Sequence, residues 1–356
     1  MKKYKPNIMD CTLRDGSYEI DFQFDENDTF SITSGLSKCN IPYIEVGHGI
    51  GLGASKKKLG IAAASDEQYC NAASKAINRN SKWGMFCIPG IATLENLNLA
   101  IDHGMNFVRI GCDVDKVDET EKFVMLAKKR GIEVFTNFMK SYVLQSKDFA
   151  KIAKKSLSFG SDVIYIVDSA GGMLPNVTRD FIRRTKDLNP DCKIGFHGHD
   201  NLGLGMANCI VSIEEEVDFL DSTLQGLGRS SGNVATEHLV CVLDRLGFHY
   251  NWDPIKIMDL SELYIRPLIS KFGLSSLDIT AGWAQFHSSF MNKILKRSKQ
   301  ERIDPRVLIK NICEIDKLNA STKLVDEIIH KLQTKNSQSV RIKKWPNYFG
   351  NEESNT

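Results

Sequence analysis

An alternation of short apolar runs with longer amphipathic stretches, repeated eight times, constrains the fold of this chain more than any other feature. Each apolar run predicts a β-strand, and each stretch with helical spacing that follows it predicts a crossover helix. The predicted strands are residues 7–12, 43–47, 83–88, 107–111, 133–138, 163–168, 193–198 and 219–224. Parallel strands need such crossovers, and eight units in roughly 250 residues is the size of a (β/α)₈ TIM barrel.

The alternative is an open doubly wound sheet. Such sheets often carry a glycine-rich dinucleotide fingerprint after the first strand, and this chain has none there. Asp66, Thr93 and Ser146 are predicted to cap helix starts, and Gly131 and Gly160 to end helices. The sequence therefore predicts an α/β fold built as a closed barrel.

The chain changes character from about residue 255. Amphipathic stretches continue there without intervening strands, which predicts a C-terminal helical appendage. We therefore expect a barrel domain over residues 1–250, a helical domain over 251–340 and a loose tail over 341–356.

Composition excludes several classes of partner. The chain has 356 residues and a formal net charge of +2, so no strong field favours nucleic acid or a membrane surface. The N-terminus lacks the apolar segment of a signal peptide. The nine cysteines include no CxxC pair, which favours reduced thiols in a cytoplasmic protein over a disulfide framework.

Catalytic groups of (β/α)₈ barrels lie at the C-terminal ends of the strands. Nearly every predicted strand of this chain ends in polar residues, and all of these would meet at one rim. They are Arg14, Asp15, Tyr18, Glu45, His48, Asn137, Asp168, Ser169, His197, His199, Gln225, Arg229 and Asn233.

His197 and His199 form the sharpest motif at this rim. Residues two apart on a strand point to the same side, so both imidazoles would face the barrel axis. Asp15 could join them across the barrel mouth, which gives the ligand set of a catalytic divalent ion with open positions. The structural alternative is one buried, hydrogen-bonded histidine and one solvated histidine.

Three further residues each allow more than one interpretation. Arg14 suits a carboxylate or an enolate oxygen, or it forms a simple loop salt bridge. His48 binds or protonates substrate, or it caps loop backbone. Glu45 contacts substrate, supports Arg14 or the metal, or is a buried structural carboxylate.

The motifs resemble a known superfamily. "TLRDGSY", "VDSAGG", "FHGHDNLGLGMAN" and "GLGRSSGNVATE" are similar to those of the DRE-TIM metallolyases, also called the HMGL-like family. "EVGHGIGLGAS" and "ITAGWAQFHSSF" most resemble its 4-hydroxy-2-oxoacid (4-hydroxy-2-oxovalerate) aldolase branch.

This resemblance implies a divalent ion held by Asp15, His197 and His199. Mn²⁺ is the expected ion, with Mg²⁺, Co²⁺ and Zn²⁺ as alternatives. Arg14 would neutralise the enolate of pyruvate, and Ser169 would hold the pyruvate carboxylate. Asn233 matches an asparagine that is a metal ligand in the lyase branch. The implied reaction joins pyruvate to an aldehyde, or cleaves the product.

Two differences from the related aldolases concern the selectivity for the aldehyde substrate. Tyr18 stands where the related aldolases have a histidine that is their proposed general base, and tyrosine is a poorer base. Trp283 and His287 occupy the stretch in which that branch carries an active-site tyrosine. We therefore expect altered aldehyde selectivity, with Tyr18, His48 or a water handling the proton.

Other functions stay open at this stage. The loop "GLGRSSGN" lacks the catalytic cysteine of 3-hydroxy-3-methylglutaryl-CoA lyases. A Claisen-type synthase joining an acyl-CoA to a 2-oxoacid remains an alternative, as does a catalytically silent barrel that serves as a partner protein. The resemblance also implies a homo-oligomer and an aldehyde dehydrogenase partner.

Overall fold

A computed structural model describes residues 4–269 and 276–334 of the chain. Eight parallel strands close into a barrel in which each strand pairs with the next and β8 pairs with β1. The strands are β1 Asn7–Asp10, β2 Tyr43–Val46, β3 Lys82–Cys87, β4 Phe107–Asp113, β5 Glu133–Met139, β6 Val163–Asp168, β7 Lys193–Gly198 and β8 Phe219–Ser222. The prediction of a closed (β/α)₈ barrel is confirmed.

A helix follows each strand and covers the outside of the barrel. These helices are α1 Glu26–Lys38, α2 Asp66–Ala76, α3 Leu94–Asp102, α4 Glu121–Lys129, α5 Ser146–Phe159, α6 Pro175–Leu188, α7 Gly205–Glu214 and α8 Thr236–Arg245. Their apolar faces and the outward faces of the strands form one continuous core. The period-3.6 pattern of the sequence is thus explained by burial of one face of each helix.

Of the three residues predicted to cap helix starts, the structure confirms one. Thr93 caps α3, since its hydroxyl accepts from the Asn96 N–H at 3.3 Å. Ser65, not Asp66, caps α2. Asp66 instead accepts from the Gly53 N–H at 2.8 Å, which ties the loop after β2 to this helix. Ser146 lies inside α5 and its hydroxyl contacts Asp180.

The C-terminal part is helical, as expected. It comprises α9 Pro254–Tyr264, α10 Ser276–Ala284, α11 Met291–Glu301, α12 Pro305–Cys313 and α13 Thr322–Thr334. Ile257 and Leu260 of α9 are buried in the barrel core, whereas α10–α13 share a separate core. The packing boundary therefore follows α9, later than the predicted boundary at residue 250. Residues 335–340 and the predicted tail 341–356 lie outside the described residues.

Two layers of side chains fill the barrel interior. The lower layer is aromatic, with Tyr43, Phe107, Phe135 and Phe219 in mutual ring contact. Two residues further along the same four strands lie Glu45, Arg109, Asn137 and Asp221. Because side chains two apart share a strand face, these polar residues form the next layer toward the C-terminal rim. The aromatic layer thus supports a polar layer beneath the predicted site.

Two composition-based expectations can be compared with the structure. All nine cysteines are free thiols, and seven of them are buried. Among the residues that the structure describes, no helix has the length and apolarity needed to cross a bilayer.

The aromatic layer yields a stability prediction. We expect Phe135→Ala to lower the free energy of unfolding by about 3–5 kcal/mol, because a fully buried ring leaves a cavity that the barrel cannot collapse. Phe30→Ala, on the 44% exposed Phe30 of α1, is the matched control and should change it by no more than about 0.5 kcal/mol. Urea unfolding followed by circular dichroism measures both. Equal effects of the two substitutions would contradict this description of the core.

Candidate active site

A buried arginine organises the polar layer. Arg109 is fully buried, and its guanidinium donates to Glu45 Oε2 at 2.8 Å and to Asp221 Oδ2 at 2.5 Å. It also donates to Asn137 Oδ1 at 3.2 Å. A buried charge is tolerated only when it is paired in this way. Arg109 therefore fixes the carboxylates of Glu45 and Asp221. Each carboxylate in turn holds a residue nearer the C-terminal rim of the barrel.

Asp15, His197 and His199 converge at the rim. One potential ligand atom from each residue lies within 4.8 Å of the other two, and all three residues are buried. The imidazole ring centroids are 5.1 Å apart with the planes nearly perpendicular. The structure thus brings together the three residues that the sequence predicted as ligands.

Hydrogen bonds set the orientation of both imidazoles. His197 Nδ1 lies 2.8 Å from Asp221 Oδ2, and His199 Nδ1 lies 3.1 Å from the Gly232 carbonyl oxygen. Each Nδ1–H therefore donates to an oxygen, which leaves the Nε2 lone pairs for a ligand. Burial lowers the pKa of His199 to about 4, so this ring is neutral at pH 7.

Arg14 and Asp15 form a second pair at the rim. Arg14 donates from its Nε to Glu45 Oε2 at 2.8 Å and from a terminal nitrogen to Asp15 Oδ1 at 2.7 Å. Burial alone would raise the pKa of Asp15, but the Arg14 charge, together with His199, His197 and the Asn233 hydrogen bond, outweighs burial and holds that pKa well below its usual range. Asp15 is therefore an ionised carboxylate.

Asn233 completes the surroundings of Asp15. Its amide nitrogen donates to Asp15 Oδ2 at 2.5 Å, while its own Oδ1 is buried with no hydrogen-bond partner in the described structure. A Cβ on Gly228 would lie 2.1 Å from the Asn233 amide, so only glycine permits this close approach. The unpartnered oxygen adds a fourth donor beside the carboxylate and the two imidazoles.

This donor set fits a divalent cation. It combines an ionised carboxylate, two imidazoles with free Nε2 atoms and a neutral carbonyl oxygen. Cys11, His197 and Asp221 also lie within ligand distance of one another, deeper in the barrel. The Arg109 guanidinium occupies that position, 3.1 Å from Cys11 Sγ, and its positive charge opposes a cation there.

A cavity opens above the ligand set. Its lining includes the apolar residues Phe86, Ile88, Met139 and Val167 and the polar residues Tyr18, Asn137, Ser169, Arg229 and His287. Ser169 Oγ accepts from the Lys140 backbone N–H at 3.1 Å, which leaves its hydroxyl proton to donate into the cavity.

Tyr18 lies against Arg229 in this cavity, with the guanidinium carbon 4.9 Å from the ring centroid. Burial raises the pKa of Tyr18 above 10.0, and the nearby Arg229 charge offsets only part of that rise. The phenol is thus protonated at neutral pH. At neutral pH Tyr18 is predominantly a donor of a proton or a hydrogen bond, and only its minor phenolate form can act as a general base.

Two predicted site residues do not face the cavity. His48 Nδ1 accepts from the Ile50 N–H at 3.1 Å and its Nε2 lies 3.2 Å from the Gly60 carbonyl oxygen. This arrangement is the backbone-capping alternative, so the catalytic role predicted for His48 is corrected. Glu45 Oε2 contacts both Arg14 and Arg109, which favours the interpretation that Glu45 supports Arg14, while its buried Oε1 has no hydrogen-bond partner in the described structure.

The structure separates the two residues of the appendage. Trp283 is 62% exposed, with the Lys310 ammonium 4.1 Å from its ring centroid. His287 is buried and lines the cavity. Only His287 is therefore in a position to act on a substrate.

Sequence reasoning missed Arg109 and Asp221. Each stands inside an apolar strand run, "FVRIG" and "FLDSTL", two residues after a phenylalanine. A charged residue within a buried strand of a parallel barrel must find a partner, and that was the available signal. Their partners lie on other strands, which a single strand does not reveal.

Known proteins can now be compared with this geometry. The sequence profile of the HMGL-like family matches residues 5–264 of the chain. A 4-hydroxy-2-oxovalerate aldolase of Carboxydothermus hydrogenoformans is 33% identical over 335 residues, which span 94% of this chain and 99% of the relative. The chain belongs to the HMGL-like family.

Other relatives agree with this assignment to the HMGL-like family. 4-Hydroxy-2-oxovalerate aldolase 2 of Rhodococcus jostii is 37% identical over 309 residues, 86% of this chain and 89% of the relative. The Pseudomonas aeruginosa hydroxymethylglutaryl-CoA lyase structure has a TM-score of 0.64 at 19% identity, over 77% of this chain and 96% of that one. The carboxyl transferase domain of Rhizobium etli pyruvate carboxylase has a TM-score of 0.76 at 14% identity, over 94% of this chain and 62% of that one. At such identities the two structures support the fold alone.

The contact between Asp221 and His197 yields a prediction on metal affinity. We expect Asp221→Asn to weaken Mn²⁺ binding by about 10- to 100-fold, because the imidazole loses the carboxylate that fixes its orientation. Titration calorimetry on the purified chain measures the affinity. Asp187→Asn, on a 70% exposed side chain of α6, is the control and should bind as the unchanged chain does. Unchanged affinity in Asp221→Asn would show that this contact does not orient the ligand.

Proposed function

We propose that this protein is a divalent-metal-dependent aldolase that forms or cleaves a 4-hydroxy-2-oxoacid, with pyruvate and an aldehyde as the two components. The observation that carries the proposal is the convergence of Asp15, His197 and His199 beside Arg14 at the floor of one cavity. The names of the relatives and membership of the HMGL-like family support the same reaction.

Asp15, His197 and His199 would hold the ion, with Asn233 as the neutral fourth donor. A bound divalent ion supplies Lewis-acid polarisation of the 2-oxo group of the substrate. Mn²⁺ is the ion that we expect, and Mg²⁺, Co²⁺ and Zn²⁺ are the alternatives to test. The protein contributes the fixed geometry through Asp221, Gly232 and Arg109.

Arg14 would stabilise the charge that develops when the carbon–carbon bond breaks. In cleavage, the C4 hydroxyl loses its proton, the C3–C4 bond breaks, and the electron pair moves onto C3 and the 2-oxo oxygen as an enolate. The guanidinium of Arg14 is held by Glu45 and Asp15, so it needs no reorganisation to meet this charge. Ser169 would donate to the pyruvate carboxylate.

Tyr18 would transfer the proton to and from the oxygen of the aldehyde. In the condensation direction the aldehyde oxygen must gain a proton as it becomes the C4 hydroxyl. A protonated phenol that lines the cavity meets this requirement. Cleavage uses the same group in reverse, as a phenolate stabilised by Arg229.

The Claisen-type synthase and the silent barrel each predict observations that differ from those for an aldolase. A Claisen synthase would release free CoA from acetyl-CoA in the presence of a 2-oxoacid. A silent barrel would have no reason to keep the complete set of Arg14, Asp15, His197 and His199 in mutual orientation. The geometry therefore supports the aldolase best.

Location and assembly are also proposals. Nine free thiols support a cytoplasmic location, because that compartment keeps cysteines reduced. We expect a homo-oligomer and an aldehyde dehydrogenase partner, as the family resemblance implies. Size-exclusion chromatography with light scattering tests the first of these, and co-purification from the native host tests the second.

Proton exchange at C3 of pyruvate tests the proposed function without knowledge of the aldehyde. With Mn²⁺ in D₂O we expect deuterium incorporation at C3, measured by NMR, because the site stabilises the enolate. Exchange should stop with excess EDTA and return with added Mn²⁺. Asp15→Asn and His199→Ala should abolish it, since each removes a ligand.

Glu67→Gln, on a 62% exposed side chain of α2, is the charge-removing control and should exchange at the unchanged rate. The absence of exchange with every one of the four candidate ions would refute the proposed aldolase. Release of free CoA from acetyl-CoA and a 2-oxoacid would favour the Claisen alternative instead.

A further inference from the structure

Arg229 differs from the other arginines near the cavity. It lies in the loop that follows β8, is half-buried and lines the cavity with Tyr18 and His287. The loop itself is fixed, because the Asn233 N–H donates to the Gly226 carbonyl oxygen at 2.9 Å. The guanidinium is therefore held at the cavity wall by an ordered segment.

Among the residues that the structure describes, the charge of Arg229 has no carboxylate partner. Arg14 pairs with Asp15 and Glu45, and Arg109 pairs with Glu45 and Asp221. Over residues 4–269 and 276–334 no ion pair involves Arg229. The sequence between these ranges, "SKFGLS", contains no acidic residue either. Partly burying a guanidinium without a counter-charge is costly, so an anion is the expected occupant of the space beside it.

His287 adds a second donor to the same wall. Its Nδ1 accepts from the Ser289 N–H at 3.2 Å, so the ring proton is on Nε2. Burial lowers the pKa of His287 well below its ordinary value, and the charges of Arg229 and Lys140 act in the same direction. His287 is therefore a neutral N–H donor beside a cation. Asp15 is the one carboxylate among the residues lining the cavity, and Arg14 and Asn233 already hold it.

We propose that Arg229 and His287 bind an acidic group on the aldehyde, so that the substrate class is an aldehyde carrying a carboxylate or a phosphate. This inference rests on the proposed aldolase function and names its second substrate. A planar guanidinium can bind two oxygens of either acid at once, and the imidazole N–H supplies a third contact. An uncharged aldehyde supplies no counter-charge for this guanidinium.

Another role for Arg229 would be to bind the carboxylate of pyruvate. Arg14 contacts Asp15 beside the two imidazoles, and Ser169 also lines the cavity, so both already offer donors for that carboxylate. Arg229 contacts Tyr18, the group assigned to the aldehyde oxygen, which favours the aldehyde side. The two roles differ in which substrate responds when the guanidinium is removed.

The test compares each of two anionic aldehydes with an uncharged counterpart, using the full chain with Mn²⁺ and pyruvate. One pair is succinic semialdehyde and pentanal, and the other is glyceraldehyde 3-phosphate and glyceraldehyde. We expect kcat/KM for the charged member of at least one pair to be about 10- to 100-fold higher, the size of a charge-assisted hydrogen bond. The responding pair identifies carboxylate or phosphate.

Arg229→Gln should abolish this preference, and Arg229→Lys, which keeps the charge, should retain part of it. Arg184→Gln, an exposed arginine of α6, is the matched control and should keep the full ratio. Equal kcat/KM within both pairs in the unchanged chain would overturn the inference, and this measurement needs no variant to fold.

Pyruvate C3 exchange without aldehyde separates the two proposals. Normal exchange combined with no preference in either pair overturns the anionic aldehyde alone. A rise in the pyruvate concentration needed for half-maximal exchange in Arg229→Gln, with an unchanged aldehyde ratio, also overturns it and assigns Arg229 to pyruvate. Absence of exchange in the unchanged chain refutes the aldolase and this inference with it.

Discussion

The site depends on one buried guanidinium. Arg109 sits inside the barrel and joins two carboxylates, Glu45 and Asp221. Glu45 holds Arg14, and Asp221 holds His197, so the arginine at the rim and one of the imidazoles share a single support. Breaking a buried ion pair leaves the remaining charges uncompensated, so this network tolerates few other arrangements. Once Arg14 and Asp15 are included, the network contains one more carboxylate than guanidinium. That excess negative charge favours a cation at the position to which the free imidazole nitrogens point.

The sequence predicted the fold well because strand–helix alternation is a local signal. All eight strands begin within one residue of their predicted positions, since a strand buried on both faces is a nearly continuous apolar run. The rim residues were predictable for the same reason, because residues such as His197 and His199 end an apolar run or follow it directly. The predicted boundary at residue 250 precedes α9 because this helix, like the appendage helices, has no strand before it. Only its packing, through Ile257 and Leu260, assigns it to the barrel.

The supporting and positioning residues were beyond local prediction. Arg109 and Asp221 contact each other across the barrel, 112 residues apart in the chain. His48 looked catalytic because it follows a strand in a glycine-rich loop, yet that same loop supplies the backbone groups that occupy its nitrogens. Tyr18 and Arg229, from loops at opposite ends of the barrel sequence, meet only after closure. The convergence of Asp15, His197 and His199 was thus predictable from the sequence, whereas the second half of the cavity and its charge were not.

A crystal structure with Mn²⁺ and oxalate, a mimic of the pyruvate enolate, tests the central claim most directly. Data collected at the manganese absorption edge locate the ion independently of the protein coordinates. The account predicts a single anomalous peak in direct contact with a carboxylate oxygen of Asp15 and with the Nε2 atoms of His197 and His199. It also predicts that the Arg14 guanidinium faces the oxalate. A peak at Cys11 and Asp221 instead, or a well-occupied oxalate with no manganese between Asp15 and the two imidazoles, would contradict it.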